Sequence, residues 1–139
     1  MIRAATPDDP ADLDTVCERA RAFHAYSPWR AVAFEADAVC EFAATIIAGG
    51  GVFLSDEGLC GGVIQPLYFN PAFKVAVELV WWAPSEGQAL KAAFEEWARA
   101  SGASAIQFSA LGDEHLPAVT RLYGRAGYRL AEASFLKGL

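Results

Sequence analysis

One carboxylate interrupts the apolar run "KVAVELVWW", Lys74 to Trp82: Glu78. A lone acid in such a run is a candidate proton acceptor. Strand alternation sets it on the face of Ala76, Val80 and Trp82, where a purely structural reading, with Glu78 in water or paired with Lys74, stays open. A second feature follows directly. In "WWAPSEGQAL", Trp81 to Leu90, the strand passes through Pro84, Ser85, Glu86 and Gly87 into an amphipathic helix. The leading N–H groups and positive dipole end of such a helix suit an anion. Tyr123 offers a phenol, although its shared face with Val119, Leu122 and Ala126 also reads as core packing.

Other reactive residue types are sparse. His24 and His115 are the only histidines, and no acid spacing supplies either with a partner. Cys17, Cys40 and Cys60 are widely separated and form no C-x-x-C pair. They are expected to be reduced, buried small hydrophobes rather than a disulfide framework or a zinc site. The chain has no G-x-S-x-G, Walker loop, G-x-G-x-x-G after a strand, or H-E-x-x-H. Hydrolase, NTPase, dinucleotide-dependent dehydrogenase and zincin readings therefore lack their usual signals.

The elements that must position these groups follow from periodicity and punctuation. "IRAA" is a short strand, and Asp9 with Pro10 opens a helix whose apolar face carries Leu13, Val16, Cys17, Ala20 and Phe23. A second helix, about Glu35 to Ala48, ends at Gly49, Gly50 and Gly51. Val52 to Ser55 and Leu59 to Leu67 read as strands around "DEG", with Gly58 supplying positive φ; Asn70 and Pro71 turn the chain into Lys74 to Trp82. Leu90, Ala93, Phe94 and Trp97 mark a third helix stopped by Gly102, "SAIQFSA" a buried strand, Val119 to Ala126 a fourth helix, and "YRLAEASFL" one or two closing strands. The order β-α-α-β-β-β-α-β-α-β indicates a mixed α+β domain.

Bulk properties narrow the function classes. With 139 residues, 54% hydrophobic and 20% charged, the chain has the size and composition of one globular domain. A net charge of -6 opposes the cationic surface that nucleic acids require. No run approaches a membrane span and the start has no apolar signal region, so a cytoplasmic location without membrane or nucleic-acid partners is expected.

Over essentially its whole length the chain resembles the GNAT superfamily of N-acetyltransferases. "IRAATPDD" is similar to that family's opening strand and helix start, "VAVELVWWAP" to its fourth strand, and "RLYGRAGYRL" to its late helix with Tyr followed by Gly-aromatic. The resemblance implies a single domain over residues 1–139 with a central, mostly antiparallel twisted sheet and about four helices. It also implies acetyl-CoA as acyl donor, no metal, and a small-molecule or peptide amine as acceptor. By the same resemblance Glu78 is the base, acting through water, and Tyr123 the acid that protonates the CoA sulfur.

Main-chain groups of Leu79, Val80 and Trp81 would hold the acetyl carbonyl and pantetheine arm, and the turn Ser85, Glu86, Gly87, Gln88 and Ala89 the pyrophosphate. The family pattern there is Q/R-x-x-G-x-G/A. Aligning Gly87 and Ala89 with its small positions puts Pro84 at the Gln/Arg position, and the loop is short. Tyr26, Trp29 and Arg30, between the first two helices, would border the acceptor. A second reading is a GNAT-like domain that has lost catalysis and serves as a binding or assembly module. Exposed strand edges and Trp-rich strands admit a homodimer.

Overall fold

Asp9 caps the first helix, accepting a hydrogen bond from Ala11 N (3.0 Å), and Pro10 fits the first turn, so α1 (Pro10–Tyr26) starts where the sequence places it. The computed structural model describes all residues from Met1 to Leu139. They form two units, Met1–Ser109 and Ala110–Leu139.

In the first unit, β1 (Arg3–Ala4), β2 (Val52–Leu54), β3 (Leu59–Leu67), β4 (Asn70–Trp82) and β5 (Ala105–Gln107) form one sheet in that order. Successive strands pair antiparallel except β4 and β5, which are parallel and joined through α3 (Gly87–Ala100). α2 (Ala36–Ala48) ends at Gly49, and Gly50 takes φ +80 beyond it. One apolar cluster gathers Val16, Ala43, Ile46, Ile47, Val52 and Leu59 from α1, α2 and the strands. The other joins Leu90, Phe94 and Ala98 of α3 to Cys60 and Ala76. The α3 spacing read from the sequence is therefore its buried face.

Polar ties fasten α1. The Asp12 side chain, 1% exposed, accepts from Arg3 Nη1 (2.9 Å), Arg3 Nη2 (2.5 Å) and Thr6 N (2.8 Å). The Arg3 hydrogen bonds hold the Asp12 carboxyl below its ordinary value of 3.8. A lowered carboxyl contributes stability that is present above that value and is lost as pH falls below it. Asp12→Ala is expected to remove about 2 kcal/mol by urea unfolding at neutral pH, with the difference shrinking in acid. Arg19 Nη1 donates to Ser55 O (2.8 Å) and to Gly58 O, and Nη2 to Asp56 O (2.8 Å), closing the β2–β3 turn from α1.

Several expectations are corrected here. Cys17 and Cys40 are joined in a disulfide, Cα atoms 5.6 Å apart, because the α1–α2 hairpin brings together residues 23 apart in sequence. Only Cys60 is a free thiol, buried, its pKa raised by burial and then by the charge of Glu78. Gly58 does not have positive φ. It is needed for room, since a Cβ there would lie 2.7 Å from Leu90 Cδ1. The turn before β4 falls at Tyr68 and Phe69, ahead of Asn70 and Pro71.

The second unit contains α4 (Leu116–Arg125), followed by Gly127 at φ +87. The closing strand expected from "YRLAEASFL" is absent: the sheet contains β1 to β5 alone. Strand patterning expresses a capacity to pair, and these residues have no ladder partner; Leu130 and Phe135 are 85% and 95% exposed. No helix is long and apolar enough to cross a membrane.

Candidate active site

Glu78 occupies a break in the β3–β4 ladder. Gly61 pairs with Val80 but Gly62 pairs with Glu78, so Leu79 is an extra residue, a β-bulge. This corrects the face assigned by simple alternation. Val80 packs with the α1/α2 cluster and Trp82 meets Tyr26 of α1 (ring centroids 5.1 Å). Glu78 instead lies with Ala76 on the α3 side, where its charge acts on Cys60. Gly62 makes the close approach possible, because a Cβ there would lie 2.0 Å from Val77 O. The Gly61–Gly62 pair inside a strand was the readable signal for this irregularity.

The same place is where β4 and β5 part. Their ladder covers Val75–Val77 against Ala105–Gln107, while β4 continues to Trp82 without a β5 partner. Ser109 N, just beyond β5, donates to Glu78 Oε2 at 3.1 Å. Glu78 is 8% exposed, and burial pushes its pKa up to about 7, against a smaller lowering by the Ser109 N–H. A carboxyl poised near neutrality can take a proton and release it again. On the α3 side Phe108 packs edge-on to Trp81 (5.5 Å) and Phe94 (5.4 Å), and the buried Lys91 pairs with Glu95.

At the other end of the site, Trp82 leads through Ala83 to Glu86 into α3. Glu86 takes the left-handed conformation (φ 57), and the first helical bond runs from Leu90 N to Glu86 O (3.0 Å). The N–H groups of Gly87, Gln88 and Ala89 precede that bond and form the helix's leading donors. Carboxylates surround them. Glu57 Oε2 accepts from Ser85 Oγ (3.1 Å), and the Met1 ammonium lies 3.4 Å from Glu86 Oε1 and 3.8 Å from Asp56 Oδ1. Leading amides at a helix start and the open β4 edge are backbone features that an anionic, extended ligand can use. The acids are on the solvent side, where salt screens them.

The acceptor candidates lie at the end of α1 and in the connection to α2. Tyr26, 67% exposed, meets the Trp82 ring at a tilt, and Trp29 lines a groove of about 500 Å³ between α1 and α2. Arg30 Nη1 donates to Ser27 O within its own loop (3.3 Å). Tyr123 sits on α4 in the second unit, its ring 5.6 Å from that of Tyr128. Sequence reasoning missed the Ser109 N–H as the partner of Glu78, since a backbone donor carries no side-chain signature.

No family model matches the chain, and no curated protein matches it. Solved structures do. An aminoglycoside acetyltransferase, HMB0005, from an uncultured soil metagenomic sample is 14% identical with a TM-score of 0.67, covering 100% of this chain and 97% of that one. AAC(6')-Iy in complex with the bisubstrate analog CoA-S-monomethyl-acetylneamine is 14% identical with a TM-score of 0.63, covering 100% and 97%. A transcriptional regulator from Bacillus halodurans C-125 is 18% identical with a TM-score of 0.68, covering 100% and 99%. What this chain shares with them is a GNAT-like fold.

Proposed function

We propose that this protein is a GNAT-type acyltransferase that moves an acetyl group from acetyl-CoA to the amine of a small molecule or peptide. The observation that carries this reading is Glu78, a buried carboxyl with a pKa of about 7, fixed by Ser109 N where β4 and β5 diverge. Above that pKa it accepts a proton from the acceptor's ammonium through a water, leaving the amine free to attack. Acetyl-CoA, when bound, supplies the activated acyl group. The main chain of Leu79, Val80 and Trp81 orients it, and the amides of Gly87, Gln88 and Ala89, with Ser85 and Glu86 in the same turn, receive the pyrophosphate. Tyr123 is assigned, by the family resemblance alone, as the proton donor to sulfur. The CoA-linked aminoglycoside analog bound by AAC(6')-Iy supports this class of donor and acceptor.

Calorimetric titration with acetyl-CoA and desulfo-CoA at two salt concentrations tests the reading. Micromolar binding that weakens with salt is expected. A folded sample that binds neither ligand at about 1 mM would overturn it. The carboxylates of Asp56, Glu57 and Glu86 around α3 favour a second reading, a binding or assembly module without catalysis. That reading expects the cellular role to survive Glu78→Gln.

A further inference from the structure

Two apolar surfaces of the first unit are left over by the acyl-transfer chemistry, and they complement each other. At the β3–β4 turn, Tyr68 and Phe69 are 82% and 77% exposed, with ring centroids 4.0 Å apart, and Phe73, 39% exposed, follows a few residues on. Asn70 Oδ1 accepts from Ala72 N (3.1 Å), holding the turn in shape, and no residue from Leu67 to Phe73 is charged. The second surface is the groove between α1 and α2. Phe23, Trp29, Val32, Phe34 and Phe42 line its roughly 500 Å³, and Trp29, Val32 and Phe42 are each more than half exposed.

Knob and groove stand at opposite ends of one long strand. β4 begins at Asn70, beside the knob, and ends at Trp82, whose ring touches Tyr26 in the last turn of α1, where the groove opens. At about 3.3 Å per residue that is on the order of 40 Å, so a chain cannot fill its own groove. Two chains set antiparallel about a two-fold axis bring each knob to the other's groove and close the assembly with two equivalent contacts. We propose that these surfaces meet in such a homodimer, with the Tyr68–Phe69 tip of each copy seated between α1 and α2 of the other.

Area favours a second copy as the occupant. Each fully buried aromatic removes about 150–250 Å² from water; scaled by exposure, the side chains of tip and groove give roughly 700 Å² per copy. A standard interface takes about 800 Å² per partner.

Sedimentation equilibrium of the intact, non-reduced chain over about 1–200 µM tests this independently of any acetyl-CoA binding. Twice the chain mass is expected for the wild type, and a monomer for Phe69→Ser and for Phe42→Glu, both at exposed positions. An equimolar mixture of these variants retains one intact knob and one intact groove, so it should associate where neither does alone. A wild-type monomer throughout, a dimer indifferent to either substitution, or no association on mixing would overturn the proposal. So would a dimer lost with Phe42→Glu but kept with Phe69→Ser, because something other than the tip would then fill the groove.

Discussion

Glu78→Gln should lower acetyl transfer by about 10²–10⁴-fold in kcat/KM while making the protein more stable. The two effects share one cause. Burial raises the carboxyl from 4.5 to about 7, so between those values the folded state holds a proton that the unfolded chain has released. Stability attached to this group is present in full below about 4.5 and declines as pH rises through 7. At about 1.4 kcal/mol per unit, the ionised carboxylate removes on the order of 3 kcal/mol by pH 8, which a neutral Gln avoids. Urea unfolding of wild type and variant should therefore diverge at pH 8 and coincide near pH 4.5. Wild-type activity should rise through about pH 7 as the base ionises. A variant with unchanged turnover would remove Glu78 from the reaction, and one with unchanged stability at pH 8 would mean that folding does not raise the Glu78 carboxyl.

The second large effect lies one strand away. Gly62→Ala places a Cβ 2.0 Å from Val77 O and 2.9 Å from two atoms of the Phe94 ring, itself fully buried. Neither neighbour can give way cheaply: one is backbone and the other fills the α3 core. A loss of about 3 kcal/mol or more is expected by denaturant unfolding, enough to leave little folded protein. Gly61→Ala is the control, since its Cβ would meet Val52 Cγ2 at 3.4 Å and lie on the other face. It should change stability by about 1 kcal/mol at most. Equal tolerance at both positions would contradict the bulged register.

What could be read from the sequence was whatever depends on neighbours along the chain. Asp9 with Pro10, the Gly49–Gly51 stop and the Leu90, Phe94 and Trp97 spacing located helices, because caps and faces are local. Glu78 stood out as an acid in an apolar strand. Its direction did not follow, because one extra residue at Leu79 reverses the alternation, and register is a property of two strands together. The Cys17–Cys40 bond and the Arg19 clasp on the β2–β3 turn join residues far apart in sequence, so spacing could not disclose them. The closing strand failed for the complementary reason: its pattern was suitable, but pairing needs a second strand.

The bulge also bears on which changes in chain length β4 could absorb. Inserting or deleting a residue elsewhere between Val75 and Trp82 would carry the residues beyond it to the opposite face, exchanging the α3 core for the α1/α2 core. Removing Leu79, which is 40% exposed, is different. Glu78 and Val80 already point to opposite sides, so its deletion would restore an even ladder and leave the other side chains on their present faces. Leu79 is therefore the position in this strand where a shorter relative and this chain could align with every inward and outward side chain still in step.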